Sequence, residues 1–456
     1  MNLTLKDLTA TVTGKAAAFR CRQRLQPAGG DGDKVFPPTY AGAVYAIEER
    51  RVKGSDGKWQ TLPCVLMDSV QSQANRMEEA LQLAIDAGRF DECPIPLIEV
   101  DFSGADLLDE VQRVTSLQAP HRVADAILRD SLLDGVPFRE SEVGKRLSIV
   151  SLQNATPLYE VCPTALIFGM WDSTGPKGGL GAKFQRAIVS EIVGMNAVYG
   201  RKTSSRIDPM AIQRNAGPVY RARNGSWTLD PAEAVKDRTD KPILFGKRKG
   251  KDVPHDPQSE TFPDEGRPSV INHGNVTPDF ARYSDNSSLR DPMLPPGDDS
   301  EVRKGNIAAG GVTLDYAEQT TVISLPALRR LRFPLNGEKP NRNADVAGQT
   351  VLVAVGLCAA ALAAERGFDL RSRCLLFPEA PLEWEILAAP GDKPAAMTID
   401  PKSAIEVLRE AVAAAEGLNL KWRKEPLILK PRRELIALVR RSQELAVVEA
   451  PETAQA

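Results

Sequence analysis

The sequence predicts an α+β fold, and three observations predict it. The opening 65 residues read as strands and a hairpin. A helix with one apolar stripe follows at 68–87, then a strand at 96–102. Near the other end, Ala344–Arg366 reads as a helix apolar nearly all round, hence sandwiched in a core, with short strands after it. The order strand, hairpin, helix, strand is not regular βαβ alternation, so a doubly wound parallel sheet is not expected.

Taken in order, Thr9–Thr13 and Ala16–Arg24 read as strands around Gly14, and 27–38 as a turn-rich loop. Tyr40–Arg51 and Trp59–Leu66 form a hairpin over the polar turn Gly54–Lys58. In Asp68–Ala87, Val70, Ala74, Met77, Leu81, Ala84 and Ile85 share one stripe, with Asp68 or Ser69 as cap. After the strand Pro96–Phe102 come two helices near 105–116 and 120–133, the second begun by His121. Thr164–Gly169 reads as a short strand. A loop rich in glycine (175, 178, 179, 181) leads into a helix with Phe184, Ile188, Ile192 and Met195 on one stripe and Lys183, Arg186 and Ser190 on the other. Regular structure returns at Thr320–Ser324 and the basic stretch 328–334. Strands at Cys374–Phe377 and Leu382–Leu387 precede helices at Ser403–Ala415 and Glu434–Leu445.

The chain has 456 residues and 42% hydrophobic content, enough for a large core. Its formal charge is −2, which excludes nucleic-acid binding by bulk charge but not a local basic face. The stretch 201–251 is net +8 and 252–301 net −8. With nine prolines between 240 and 310, the segment 217–310 reads as a loop-rich, partly mobile insertion. The organisation expected is 1–135, 136–216 with the glycine loop, 217–310, 311–400 and 401–456.

Several chemistries are poorly supplied. There are three histidines, and the six cysteines lack metal-site spacing, so they read as reduced packing residues. Asp68, Asp172 and Asp208 have no base held near them by any spacing. The glycine loop is not a P-loop, because Phe184 follows Lys183. The run Val351–Ala364 is 14 residues, short for a bilayer. The N-terminus is not read as a signal peptide, so a cytoplasmic protein is expected. Neither cofactor nor metal is called for.

What remains are polar and basic surfaces suited to an anion. The helix face Ser69, Gln71, Ser72, Gln73, Asn75 and Arg76 suits phosphate and sugar oxygens, or is simply a solvated face. Lys177 and Lys183 in the glycine loop, with Arg186, suit a nucleic-acid backbone, or the loop is a structural turn. Arg20, Arg22 and Arg24 project from one strand face, toward an anionic partner or as charge guarding a sheet edge. Lys247, Arg248, Lys249 and Lys251 are a further basic cluster in loop text.

The segments VLMDSVQSQANRMEEAL (65–81), LYEVCPTALIFGMWDSTGPKGGLGAKFQRAIVSEIVG (158–194) and SSRIDP (204–209) resemble a CRISPR-associated family, the RAMP-superfamily backbone subunit of type I-U, or type I-G, Cascade-like complexes. The resemblance spans residues 1 to 390, least in the insertion. It implies a modified RRM/ferredoxin-like palm with large finger and thumb insertions. It also implies a non-catalytic subunit that polymerises head to tail along CRISPR RNA with other Cascade subunits. The guide's backbone is gripped and its bases are left to pair with target DNA. No membrane partner is implied. On matching positions the candidate contacts are Ser69, Gln71, Gln73, Asn75, Arg76, Lys177, Lys183 and Arg186. Arg20, Arg22 and Arg24 rest on strand geometry alone. The aromatic share of 5% suits backbone readout, and the usual RNP aromatic signature is absent. The alternatives are an RNA-cleaving or RNA-processing ribonuclease of the same superfamily, and a metabolic enzyme binding a small phosphate.

Overall fold

A computed structural model describes residues 3–41, 44–54, 56–175, 182–206, 216–246, 266–268, 276–280, 309–335 and 341–453. Lys177, Asp208 and the cluster 247–251 lie outside the described residues. Two compact units result: Met1–Tyr40, Tyr45–Val198 and Val312–Ala456 form the first, and Ala41–Val44 with Tyr199–Gly311 the second.

The first unit is built on an antiparallel sheet of nine strands: β1 (Ala18–Pro27), β2 (Ile47–Lys53), β3 (Trp59–Asp68), β4 (Ile188–Met195), β5 (Tyr316–Ser324), β6 (Phe368–Arg371), β7 (Cys374–Pro378), β8 (Trp384–Leu387) and β9 (Ala395–Met397). The main path runs β6-β7-β1-β5-β4-β3-β2, with β8 on β1 and β9 on β8. Among β1, β4, β5 and β7 the spatial order is fourth, first, third, second. One long helix lies in the chain between the first two of these strands and another between the last two, and the two helices pack together.

These helices are α2 (Val70–Asp86) and α5 (Arg342–Glu365); the others named here are α1 (Leu5–Thr13), α3 (Thr164–Phe168), α4 (Leu325–Arg329), α6 (Pro401–Glu416) and α7 (Arg433–Thr453). α5 is the centre of the core. Its run from Gly348 to Leu362 is wholly buried. A Cβ on Gly348 would lie 2.8 Å from the Phe333 ring, so only glycine allows that approach. By length and composition α5 could cross a membrane, but 83% of its most apolar window is buried inside the protein. That is the position of a core helix. A smaller sheet, Arg113–Thr115, Ile98–Asp101, Leu427–Pro431, Ser131–Leu133 and Val136–Pro137, joins the C-terminal segment to the first third of the chain.

In the second unit, Tyr220–Arg221 pairs with Trp227–Thr228, and Tyr220, Ala234 and Leu244 form a small buried cluster. Thr203–Arg206 pairs with Val276–Phe280, and Val198–Arg201 with Ala309–Thr313.

Several local expectations are corrected. The predicted strand Thr9–Thr13 belongs to α1. Thr4 accepts from the Asp7 amide in a capping box, and Leu8 and Val12 face the core at helical spacing. The predicted strand Thr164–Gly169 is α3, buried on every side; such a short apolar run has no period to separate helix from strand. The helices near 105–116 and 120–133 reduce to a 3₁₀ turn at Arg122–Ala124 and one turn at Ala126–Arg129, flanked by the short strands of the smaller sheet.

The helix predicted after the glycine loop is the strand β4. Ile188 and Ile192 fit a spacing of four, but they equally fit a spacing of two. The alternation that would have marked a strand is lost because Ile192, Val193, Gly194 and Met195 are all buried. Ser190 therefore points into the core. In the basic stretch 328–334, Arg329 is structural: it donates to the carbonyls of Thr11, Val12 and Ala16 at 3.1, 2.8 and 2.7 Å and so closes the C-terminal end of α1.

Candidate nucleic-acid interface

The candidate surface starts with α2. Ser69 caps it by accepting from the Ser72 amide at 3.2 Å. Because the apolar stripe faces α5 and the sheet, the polar residues divide into two sets. Gln71 and Asn75 point outward and are exposed. Gln73 points inward and is buried. Its amide nitrogen donates to Asp68 at 2.6 Å, and its oxygen accepts from Ser190 at 3.0 Å and Gln319 at 2.8 Å. The Ser190 and Thr321 hydroxyls lie 2.8 Å apart. Gln73 is thus a node of the interior, not part of an outer polar face.

Arg76 stands between the two sets. Its Nε contacts Asp68 at 2.9 Å and its Nη2 donates to the Leu370 carbonyl at 2.6 Å. Arg371 reaches the other Asp68 oxygen at 3.2 Å. A buried carboxylate with three donors is satisfied without any ligand. Arg76 retains an outer edge, which borders two recesses. One, of about 320 Å³, includes Gln73, Gln319, Arg366 and Asp369 in its wall. The other, of about 580 Å³, runs along Asn75, Glu79 and Leu83 and is closed by Leu117 to Pro120.

Glu78, on the wall of the larger recess, meets Arg122 in a two-point ion pair at 2.6 and 2.7 Å. Burial pushes the Glu78 carboxyl up, against the pull of Arg122 and Arg186. The remaining Arg122 nitrogen donates to the Gly169 carbonyl at 2.9 Å. Arg186 adds a second positive charge near this pair without an ion-pair contact to Glu78. Burial and the nearness of Arg122 lower the pKa of Arg186. Among the described residues no hydrogen bond or ion pair engages Arg186.

Gly169 opens the stem of the glycine loop. Its φ of +82° is the left-handed region, and a Cβ there would lie 3.0 Å from Arg186 Cγ and the Phe184 carbonyl. Met170–Trp171 pairs with Lys183–Phe184, and the Asp172 amide donates to the Ala182 carbonyl at 3.0 Å. Arg139 clamps one side, with Nη2 2.9 Å from Asp172 and Nη1 2.6 Å from the Thr174 carbonyl. Lys183 is exposed, its ammonium 5.4 Å from the Trp171 ring centroid.

Arg20, Arg22 and Arg24 do share one face of β1, the face turned away from α2 and α5. The reading as a charged sheet edge is overturned, because β1 is paired on both sides. Arg20 pairs with Glu385 at 2.7 Å, Arg22 with Glu318 at 2.6 Å, and Arg24 lies 4.2 Å over the Tyr316 ring. They stand apart from the α2 surface, on the opposite face of the sheet.

Sequence reasoning passed over Glu78, Arg122, Arg139 and Arg371. Glu78 sits in an apolar stripe, the one signal a reader could have used; the arginines sit in loops or short elements with no pattern. Asp68 and Asp172 are engaged by arginines, and His121 is exposed. All six cysteines are free and buried. Burial raises the thiol of Cys21 to about 12 and that of Cys93 to about 11, which keeps them protonated and inert. Among the described residues no group of three His, Cys, Asp or Glu side chains could hold a metal ion.

No curated protein matches the chain. Residues 19–198 match the family described as CRISPR-associated protein GSU0053. That segment contains β1, α2, Arg122, the clamped stem and β4, and over it the chain is similar to this CRISPR-associated family.

Proposed function

We propose that the chain is a non-catalytic backbone subunit that binds CRISPR RNA in a type I Cascade-like surveillance complex. It grips the guide by its sugar-phosphate backbone, so the bases pair with target DNA. Copies polymerise along the guide in the cytoplasm, joined by other Cascade subunits. The observation that carries this reading is where the family match falls. The matched segment holds the exposed Gln71 and Asn75, the outer edge of Arg76, the 580 Å³ recess and the stem bearing Lys183. Amides and guanidiniums beside a recess suit phosphate and 2′-hydroxyl groups without reading sequence.

The strand order supports an RRM-like palm. A β-α-β-β-α-β chain path with order fourth, first, third, second is that of the ferredoxin-like split βαβ arrangement. The hairpin β2–β3 and the second unit would then be its insertions. The test is expression alone and with a CRISPR array, followed by size exclusion with light scattering and absorbance at 260 and 280 nm. RNA-bearing species that shrink on ribonuclease treatment are expected. Nucleic-acid-free monomer in both preparations, even with the partner subunits coexpressed, overturns the reading.

A further inference from the structure

We infer that Trp171 is a stacking ring for one base of single-stranded RNA, set beside the surface that grips the backbone. This rests on the RNA-binding reading above. Trp171 is 53% exposed although it lies in a paired, clamped stem, so its exposure is not that of a loose loop. Exposed tryptophan is costly to leave in water, and the Lys183 ammonium lies 5.4 Å from the ring centroid. One cation covers at most one face of an indole. The solvent-facing part of the indole would take a planar base, and the lysine would meet the phosphate beside it.

The stem is joined to α2 by hydrogen bonds through Arg122. Gly169, two residues before Trp171, accepts from Arg122, which holds Glu78 of α2 on the wall of the 580 Å³ recess. Arg186 lies against Gly169, adding positive charge beside the stem. Trp59, 61% exposed, has an arginine over it too, but it opens β3 at the end opposite α2. Trp384 and Trp422 are buried.

The test uses the full chain and fluorescence anisotropy with two single-stranded RNAs of one length, one normal and one abasic throughout. Wild type should prefer the normal RNA. Trp171→Ala should lose roughly 5- to 100-fold in affinity for it, erase the preference and leave the salt slope unchanged. Trp171→Phe should keep most of the affinity. Independently, RNA should quench wild-type tryptophan emission more than that of Trp171→Phe, a reading that does not depend on Trp171→Ala folding. Equal affinities, equal quenching and an intact salt slope overturn the stacking role and leave the backbone reading standing. Failure of wild type to bind either RNA, in every preparation, overturns both.

Discussion

The two faces of the central sheet use arginine in opposite ways. On the helix-covered face, Arg122 meets Glu78 with side chains 9% and 3% exposed, and Asp68, fully buried, collects Gln73, Arg76 and Arg371. On the open face, Arg20 meets Glu385 through Nε and Nη2 and Arg22 meets Glu318 through Nη2, with arginines 31% and 55% exposed. Both faces contain ion pairs of similar length. The difference is water: on the covered side a lost partner leaves a charge that nothing can solvate, and on the open side solvent replaces it. The covered clusters therefore fix α2 and the glycine stem rigidly, while the open-face pairs adjust cheaply.

Arg122→Ala should have the largest effect. Leaving Glu78 buried and unpaired should cost about 3–5 kcal/mol in urea unfolding, and Arg122→Leu with Glu78→Met should recover most of it. A cost no larger than that of an open-face pair would break the comparison. Asp68→Asn should follow, at about 1.5–3 kcal/mol, because Arg76 and Arg371 lose a charged acceptor yet keep partial access to water. Ser69→Ala removes the α2 cap and should cost about 1 kcal/mol. Arg22→Ala should change stability by about 0–1 kcal/mol, with a difference that shrinks further in high salt.

The smallest effect sharpens the contrast by pH. Asp101 pairs with Lys430 between Ile98–Asp101 and Leu427–Pro431, and the hydrogen bond to Lys430 lowers its carboxyl pKa to about 2. A depressed carboxyl adds stability that is complete above its unfolded pKa near ~3.9 and is lost as pH falls through its folded value. Wild type and Lys430→Ala should therefore differ slightly in thermal midpoint above pH ~4 and converge toward pH 2. A difference that persists at pH 2 would mean that Lys430 acts through packing.

Legibility followed periodicity. α2, α5 and α6 were readable because each has a stripe or an unbroken apolar run, a cap and a length beyond ten residues. The β2–β3 hairpin was readable from its polar turn. β4 was not, since full burial of its second half removes the alternation that betrays a strand. The candidate surface was half legible: Gln71 and Asn75 are outward as the helical spacing implied, Lys183 is exposed but in a strand pair instead of the expected helix, and Gln73 and Ser190 fell to the interior.

The sequence alone determined the α+β class, the core helix, the inert cysteines and the basic and acidic blocks. These depend on composition and on contacts between near neighbours in the chain. Only the tertiary structure decided which arginines are engaged and by what. Asp68 meets Arg371 across 303 positions and Arg122 meets Glu78 across 44. Pairings between such distant residues arise when the sheet and helices close. No local pattern records them, because a charged side chain looks the same in sequence whether water or a buried carboxylate will face it.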